Sequence, residues 1–344
     1  MKIGIFGPKA GPHCQALRRC LEQRGAQVLL IDSEGLNRGQ PVSYQDGLFS
    51  FDGQRLDDVR AWFVRAALSL LPPVFEVDDE FYLFADWYRE YMHQRERYSF
   101  QMSALMAFAF RGAPVVNPPE HSAPTQLYVF QLAAALANGL QTPRILVTND
   151  AEQVRTFVSQ VRNVVYRPAS GGGGARVLDD DALARLDSLA ASPVVFREWV
   201  RGVPVRAILV GDQLAACVKI STPSQDYRSI PTYARGQQVY IPTALDPEVQ
   251  RRCVQLAQDC GMLYAGIDLV QREDGSYVFV EASATPDYLD IEQKTQIQIT
   301  DAIANYLLLL ANDPERYRQA LSRAKRVQSF AHYKLPFRPD RDLP

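Results

Sequence analysis

Hydrophobic and polar positions near the start of the chain follow the pattern of an alternating strand and helix fold. Residues 2–7 and 26–32 are apolar runs typical of buried strands, and residues 12–25 between them carry apolar positions at helical spacing. A strand, a helix and a strand in this order predict a parallel β-α-β unit with a right-handed crossover. Further on, residues 77–110 have the period of one long helix with aromatic and basic positions.

The pattern changes in the middle of the chain and favours hairpins in the second half. The predicted elements are strands over 143–150 and 163–168 and helices over 126–139, 150–161 and 300–313. Two pairs of apolar runs flank Gly211-Asp212 and Asp274-Gly275, which are typical two-residue turns between antiparallel strands. The sequence therefore predicts a mixed α/β and α+β fold, with a parallel N-terminal sheet and hairpins after it.

Composition narrows the class of protein. The chain has 344 residues, of which 47% are hydrophobic and 22% charged, so it is an ordinary globular sequence long enough for two or three domains. Its formal net charge of -2 gives no electrostatic reason to expect a nucleic acid or an anionic membrane as a partner. No apolar run is long enough to span a bilayer, and the N-terminus does not resemble a secretory signal, so we expect a cytoplasmic protein.

Cysteines and histidines form neither a disulfide pattern nor a metal pattern. The five cysteines are odd in number and lack C-x-x-C spacing, which disfavours a disulfide framework and a zinc site. We expect them to be buried as small hydrophobic residues. The four histidines are scattered and form no H-x-x-x-H pair, so a zinc hydrolase is excluded.

Four consecutive glycines stand in the stretch "VVYRPASGGGGARVL", directly after a predicted strand. These residues are Gly171, Gly172, Gly173 and Gly174. Because glycine loses more backbone entropy on ordering than any other residue, such a run is costly unless mobility or a close backbone approach is useful. A phosphate group is one ligand that such a loop suits.

Two carboxylates are predicted to face each other in the last hairpin. If Asp274 and Gly275 form the turn, counting outward from it pairs Asp268 with Glu281. Ser283, two residues further on, projects from the same face of the strand. Like charges that face each other destabilise a sheet unless a cation lies between them, and these oxygens suit Mg²⁺. The alternative is a solvated outer face at the strand ends.

The preceding hairpin contributes positive charge. Counting outward from its predicted turn pairs Arg206 with Cys217 and places Lys219 diagonally on the same face as Arg206. Arg228 follows in "SQDYRS". Arginine offers a bidentate fork to phosphate oxygens and lysine a point charge, so three cations near two carboxylates and a glycine loop indicate a triphosphate site.

Four segments, taken in order, resemble the ATP-grasp ligase superfamily. They are "VVYRPASGGGG", "VVFREWVRGVPVRAILVG", "CVKISTPSQDYRSI" and "GIDLVQREDGSYVFVEASATP". The match covers residues 113–312, and "KIGIFG" with "VLLID" resembles the domain that precedes the superfamily's fold. Within the superfamily the chain is most similar to the peptide-modifying ligases of the microviridin type and to the glutamate ligases that extend a ribosomal protein.

This resemblance implies a domain order and an activity. The implied parts are an N-terminal pre-ATP-grasp domain over 1–112, a lid subdomain with the glycine loop over 113–195, a C-terminal subdomain with the metal and phosphate site over 196–312 and a tail over 313–344. The implied enzyme uses ATP and Mg²⁺ to activate a carboxylate as an acyl phosphate and couples it to an amine, hydroxyl or thiol. Its expected substrate is a peptide or an amino acid in a biosynthetic pathway. Relatives of this kind are often dimers or tetramers, so a homo-oligomer is expected.

The resemblance also implies roles for individual residues. The four glycines would cover the ATP phosphates, and Arg167 would reach them from the preceding strand. Glu198 and Trp199 would lie on the hinge against which adenine rests. The remaining implied roles are phosphate or acyl phosphate contacts for Arg206, Lys219 and Arg228, and magnesium ligation by Asp268, Glu281 and Ser283.

Several positions depart from the usual pattern of the superfamily. They are Arg167 and Tyr128 in place of lysines, Pro204 in place of an acidic ribose contact, and Ile230 and Ser283 in place of asparagines. Asp287 or Asp290 could supply the metal ligand that Ser283 replaces. These departures support a rival hypothesis, a degenerate ATP-grasp protein that binds a peptide or partner without catalysis. A dinucleotide-dependent oxidoreductase is disfavoured, because the N-terminal β-α-β unit lacks a G-x-G-x-x-G turn.

Overall fold

The chain begins with a parallel sheet. The structure is a computed structural model and describes residues 1–35, 39–66, 80–122, 127–169, 175–221 and 238–324. Its first elements are β1 (Lys2–Gly7), α1 (Pro12–Gln23), β2 (Gln27–Asp32), β3 (Val42–Gln45), β4 (Leu48–Phe51), β5 (Gln54–Arg55), β6 (Ala61–Val64), α2 (Glu80–Phe110) and β7 (Val115–Val116). Four strands pair in parallel in the order β2-β1-β6-β7, and β3, β4 and β5 form a small antiparallel sheet. The predicted β-α-β unit and long helix are thereby confirmed.

An antiparallel sheet of four strands follows. The elements of this region are α3 (Pro119–Ser122), α4 (Tyr128–Ala137), β8 (Ile145–Thr148), α5 (Ala151–Gln160), β9 (Val164–Pro168), β10 (Arg176–Val177), α6 (Asp180–Ala184), a 3-10 helix (Leu186–Ala191) and β11 (Val194–Glu198). The strand order is β10-β9-β11-β8. Helix α5 begins after Asp150, whose carboxylate accepts a hydrogen bond from the Glu152 amide and so caps the helix.

A second antiparallel sheet, with five strands, is built from the two predicted hairpins. The elements are β12 (Val203–Val210), β13 (Gln213–Ser221), β14 (Val239–Pro242), α7 (Pro247–Asp259), β15 (Tyr264–Gln271), β16 (Tyr277–Ser283), α8 (Leu289–Thr295), α9 (Ile299–Asn312) and α10 (Pro314–Ser322). The strand order is β14-β13-β12-β15-β16. Both hairpins, β12 with β13 and β15 with β16, are therefore confirmed.

The turn of the last hairpin is one residue longer than predicted. The Arg272 amide donates a hydrogen bond to the Ser276 carbonyl at 2.8 Å, and the Gly275 amide donates to the Arg272 carbonyl at 3.0 Å. Gly275 has φ +83°, a left-handed conformation that glycine adopts readily and that commonly closes three-residue hairpin loops. The prediction of a two-residue turn at Asp274-Gly275 was therefore wrong.

A bulge in β16 offsets the longer turn. Beside the turn, Leu269 faces Phe279, but one step further Asp268 faces Glu281, because Val280 is an extra residue on β16. The extra residue shifts the register by the same amount as the longer turn, in the opposite direction. The predicted pair of Asp268 and Glu281 is thus present.

A bulge in β13 has the opposite consequence for the other hairpin. Its strands pair as predicted beside the turn, but farther out Ala215 is an extra residue on β13. Arg206 consequently faces Val218, and the predicted pair of Arg206 and Cys217 is wrong. Because side chains alternate along a strand, Lys219 lies on the face opposite to Arg206, which corrects the second part of that prediction.

Helix α9 joins the parallel sheet to the five-stranded sheet. Ile303 and Leu307 of α9 belong to the same buried cluster as Ile5 and Phe63 of the parallel sheet and Val218 of β13. A second buried cluster lies on the other side of the five-stranded sheet and includes residues of α4 and α7. The five-stranded sheet therefore carries a buried cluster on each face.

Asn117, which follows β7, ties the N-terminal region to β15 and β16. Its buried side-chain amide donates hydrogen bonds to the carbonyls of Tyr264 at 2.6 Å and Ala284 at 2.7 Å. Its oxygen accepts hydrogen bonds from the amides of Leu263 and Tyr264, at 2.6 and 2.9 Å. One side chain thus satisfies backbone groups at the start of β15 and just after the end of β16.

Two expectations from composition can be compared with the structure. All five cysteines are buried free thiols, as expected. Within the described ranges, no helix combines the length and the hydropathy that a bilayer crossing requires.

Candidate active site

Asp268 and Glu281 form a carboxylate pair on adjacent strands. They face each other across β15 and β16, which confirms the pairing predicted from the sequence. Asp268 is buried, whereas the Glu281 side chain keeps 25% of its surface exposed. Facing carboxylates destabilise a sheet unless cations compensate them.

Each of the two carboxylates is held by an arginine from another strand. Arg206 of β12 donates two hydrogen bonds to Asp268, from Nε to Oδ1 at 2.8 Å and from Nη2 to Oδ2 at 2.9 Å. Arg167 of β9 donates from Nη1 to Oε2 of Glu281 at 2.7 Å. Guanidinium groups bind phosphate oxygens with the same fork geometry. The site therefore combines acids that suit a metal ion with cations that suit a phosphate chain.

Arg167 crosses from the four-stranded sheet to the five-stranded sheet. Only 5% of its side chain is exposed, and its guanidinium carbon lies 4.1 Å from the centre of the Tyr128 ring. The Nε atom of Arg167 is buried and has no hydrogen-bond partner among the described residues. A buried donor without a partner costs about 1–3 kcal/mol, so this position favours a ligand that brings an acceptor.

Ser283 lies two residues beyond Glu281 on the same strand, and strand alternation places it on the same face. Its Oγ accepts a hydrogen bond from the Thr285 amide at 3.2 Å. The described residues contain no group of three or more His, Cys, Asp or Glu side chains that could hold a metal. The oxygens of Asp268, Glu281 and Ser283 remain the ligand set that the sequence predicts, and magnesium binding stays a prediction.

The two aspartates that could replace the missing ligand are engaged in other contacts. Asp287 forms an ion pair with Arg65. Asp290 accepts a hydrogen bond from the Tyr240 hydroxyl at 2.8 Å. Ser283 accordingly remains the third ligand that we predict.

A cleft with a volume of about 870 Å³ lies between the two antiparallel sheets. Side chains that line it include Val164, Val177, Trp199, Pro204, Lys219 and Ile241. Its volume is within the usual range for small-molecule sites. Its walls combine apolar side chains with charged side chains that are all basic. Lys219 lies in this cleft on the sheet face opposite to Arg206, so the structure does not bring these two predicted phosphate contacts together.

The connection between β11 and β12 forms one end of the cleft. Trp199 lines the cleft, whereas Glu198 exchanges hydrogen bonds with Arg144, whose carbonyl accepts the Glu198 amide at 2.8 Å. Gly202 has φ +148°, and a Cβ there would lie 2.2 Å from the carbonyl oxygen of Gln271. The structure thus brings Trp199 of the predicted hinge to the cleft. The backbone conformation and the close approach at Gly202 explain why position 202 is a glycine.

Several predicted site residues cannot be placed. Gly171, Gly172, Gly173, Gly174, Arg228 and Ile230 lie outside the described residues. The neighbouring strands β9 and β10 both line the cleft, and the phosphate contacts of these residues stay predictions.

Sequence reasoning missed a polar cluster at the carboxyl end of the parallel sheet. Arg65 directly follows β6, donates to the Thr285 carbonyl at 2.6 Å and pairs with Asp287. His13 accepts the Tyr288 amide on Nε2 at 3.3 Å, and burial, aided by the charge of Arg65, lowers the pKa of His13 to about 4. Ligands of parallel sheets bind beyond the carboxyl ends where the strand order reverses, here between β1 and β6, and that rule points to Arg65.

Known proteins with related sequences include several glutamate ligases. Tetrahydromethanopterin:alpha-L-glutamate ligase from Methanocaldococcus jannaschii is 21% identical over 209 residues, which cover 57% of this chain and 70% of that protein. Beta-citrylglutamate synthase B from Danio rerio is 27% identical over 233 residues, which cover 63% of this chain and 56% of that protein. The match to "Probable alpha-L-glutamate ligase 1" of Shewanella sp. is shorter and spans 41% of that protein.

Solved structures with the same fold include ligases bound to peptides. The ATP-grasp ligase PsnB, complexed with a phosphomimetic variant of its minimal precursor, Mg and ADP, is 27% identical with a TM-score of 0.74, over 89% of this chain and 97% of its own. The macrocyclase MdnC from Microcystis aeruginosa, bound with precursor peptide MdnA, has a TM-score of 0.73 over 90% of this chain and 99% of its own; at 18% identity it shows the fold alone. The predictions of an ATP-grasp fold and of an ATP-grasp ligase are confirmed. Residues 129–307, more than half of the chain, match the model of the RimK-like ATP-grasp domain, and the chain belongs to that family.

Proposed function

We propose that the protein is an ATP-dependent ligase that activates a carboxylate of a peptide and couples it to an amine, hydroxyl or thiol. The observation that carries this proposal is the pair of Asp268 and Glu281, each held by an arginine. The glutamate ligases among the relatives support a carboxylate substrate. A solved complex of PsnB with a precursor peptide supports a peptide substrate.

The cleft suits ATP in size and in chemistry. Val164, Val177, Ile241 and the Trp199 ring would contact the adenine, and Lys219 would add a positive charge. The bound ADP of PsnB supports a nucleotide in this chain as well. By resemblance, the four glycines and Arg228 would complete the phosphate contacts.

The paired charges suit the phosphates and a metal ion. Arg167 and Arg206 would bind phosphate oxygens, and the buried Nε of Arg167 is a donor that such an oxygen would satisfy. Asp268, Glu281 and Ser283 would hold Mg²⁺, which favours a few carboxylates together with phosphate oxygens and neutralises the charge on the phosphates.

The reaction would proceed in two displacements. A carboxylate oxygen of the substrate attacks the terminal phosphorus of ATP, ADP leaves and an acyl phosphate forms. The nucleophile then attacks the carbonyl carbon and loses its proton, and inorganic phosphate leaves. Such transfers are accelerated mainly by positioning and by charge neutralisation, which the arginines of this site can supply without a catalytic histidine.

We also propose a cytoplasmic location and self-association. Five buried free cysteines agree with a reducing compartment. Self-association rests on the resemblance alone.

Peptide-dependent turnover tests the proposed activity. The full chain would be mixed with ATP, Mg²⁺ and synthetic peptides that carry Asp or Glu together with Ser, Thr, Lys or Cys. We expect ADP release that depends on the peptide, and a peptide product lighter by one water molecule. The variant Glu281→Gln keeps the shape of the side chain but removes its charge, and should lower ADP release by about 100-fold.

A matched variant separates the site from general charge effects. Glu273 lies in the exposed turn of the same hairpin, and Glu273→Gln should leave ADP release at the wild-type value. Equal turnover of wild type and Glu281→Gln would refute the assignment of the metal site.

A second candidate is a nucleotide-fold protein that binds a peptide or partner without catalysis. The two ion pairs favour this candidate, because Arg206 and Arg167 neutralise the charges of Asp268 and Glu281. This candidate predicts feeble nucleotide binding that is indifferent to Mg²⁺.

A further inference from the structure

Tyr128 and Arg167 form a stacked pair where the two antiparallel sheets meet. The guanidinium carbon lies 4.1 Å from the ring centre, and both side chains are buried, with the tyrosine 2% exposed. A planar guanidinium stacks on an aromatic face, whereas an ammonium is a compact and strongly hydrated charge. Each of the two residues departs from the lysine that the resemblance leads one to expect. Together they form one contact, in which the aromatic face of Tyr128 suits the planar guanidinium of Arg167.

Helix α4 fixes the ring relative to the strand that carries Glu281. Tyr128 is the first residue of α4, and Gln131 follows three positions later on the same helix face. The buried Gln131 accepts a hydrogen bond on Oε1 from the Ala282 amide at 2.9 Å. Ala282 directly follows Glu281 in β16. The hydrogen bond therefore fixes the helix that carries the ring to the strand that carries the carboxylate partner of Arg167.

The ring supports a buried charge that has one carboxylate partner. Glu281 contacts one Nη atom of Arg167, and Nε has no partner among the described residues. The aromatic face attracts the guanidinium but carries no net charge, so it neither competes for a phosphate nor repels one. If Glu281 turns toward a metal ion, the ring remains as a contact that keeps Arg167 in place.

We propose that Tyr128 is a positioning residue that holds the Arg167 guanidinium ready for the phosphates of the nucleotide. This inference rests on the proposed function, because it assumes that Arg167 meets phosphate. Under this proposal, the two departures from lysine belong together. An arginine stacked on a tyrosine ring replaces two lysines as the phosphate contact.

Binding measurements with two ligands test this role. A non-hydrolysable ATP analogue with Mg²⁺ and adenosine alone would each be titrated into the full chain. Tyr128→Leu keeps an apolar side chain but removes the aromatic face, and should weaken binding of the ATP analogue roughly tenfold. Adenosine affinity should stay within about twofold, because adenosine lacks phosphates for Arg167 to bind.

Two further variants serve as controls. Tyr128→Phe keeps the ring face and should restore most of the affinity for the ATP analogue. Tyr317, buried in α10, lies in a different cluster, so Tyr317→Leu makes the same chemical change away from the site and should leave both affinities as in wild type. Equal weakening of ATP analogue and adenosine by Tyr128→Leu would overturn the inference, since it would indicate a merely structural role. Wild-type affinity of Tyr128→Leu for the ATP analogue would also overturn it.

Arg167→Lys provides a route that does not depend on the folding of Tyr128→Leu. The lysine keeps the charge but loses the stack, so binding of the ATP analogue should weaken roughly fivefold. Unchanged binding of this variant would overturn the inference. Failure of the proposed function is a separate result, because the wild-type chain would then bind the ATP analogue feebly or not at all, whether or not Mg²⁺ is present.

Discussion

At the scale of single residues, the site is organised by side chains that reach from one strand to another. Arg167 extends from β9 to Glu281, and Arg206 extends from β12 to Asp268 on the neighbouring strand. A guanidinium has five donors in a rigid fork, so it can hold a carboxylate and still offer N–H groups to a second acceptor. The ion pair of Arg167 with Glu281 depends on how closely the two antiparallel sheets approach, whereas that of Arg206 with Asp268 lies within one sheet.

His13 lies in the first turn of α1 and makes the contact between this helix and the Asp287 loop depend on pH. Burial and the charge of Arg65 lower its pKa to about 4, against the opposing effect of Asp287. Well above pH 6.5 the histidine is neutral in both the folded and the unfolded chain, and its effect on stability is constant. As the pH falls from 6.5 to 4, the unfolded chain takes up the proton first, so the free energy of unfolding should drop by about 1–3 kcal/mol.

Urea unfolding at several pH values measures this drop. The profile of His13→Gln should be flatter than that of wild type between pH 6.5 and 4, because glutamine does not titrate. His93 is exposed on α2, and His93→Gln should keep the wild-type profile. Identical pH profiles for wild type and His13→Gln would contradict the role given to burial.

At the scale of secondary-structure elements, the connection between β11 and β12 controls how the two sheets meet. A Cβ at Gly202 would lie 2.2 Å from the Gln271 carbonyl oxygen, so Gly202→Ala must displace the connection. We expect a loss of about 1–3 kcal/mol in the free energy of unfolding and a weaker affinity for a non-hydrolysable ATP analogue. Urea unfolding and calorimetric titration measure the two effects.

Gly275 offers a matched control for this substitution. It also has a positive φ, of +83°, but a Cβ there meets nothing within 4 Å. Gly275→Ala should cost about 1 kcal/mol for the left-handed backbone and leave nucleotide affinity unchanged. An affinity of Gly202→Ala equal to that of Gly275→Ala would show that the connection does not shape the cleft.

The hairpins show how far a single sequence predicts elements and their pairing. Apolar runs and turn residues are local signals, so the strands of both hairpins were predicted correctly. Bulges depend on how a strand twists against its neighbours, which local sequence does not encode. The pair of Asp268 and Glu281 was predicted correctly because the longer turn and the bulge at Val280 compensate each other, whereas the bulge at Ala215 displaced the partner of Arg206.

At the scale of the whole molecule, the site depends on contacts between residues far apart in the chain. The order of the motifs was enough to predict the family and the fold, and the register of one hairpin was enough to predict the acidic pair. The ion pair of Arg65 with Asp287 and the stack of Tyr128 on Arg167 join segments that no local pattern relates. Sequence reasoning therefore counted Tyr128 as a lost charge, and only the three-dimensional arrangement shows what it contacts.

Calorimetric titration of a non-hydrolysable ATP analogue into the full chain, with and without Mg²⁺, tests the central claim most directly. We predict binding that is roughly tenfold or more tighter with Mg²⁺, because the metal would join Asp268 and Glu281 to the phosphates. Asp268→Asn should remove most of this difference. Absence of binding at millimolar nucleotide in the presence of Mg²⁺, or equal binding with and without the metal, would contradict the proposed ligase.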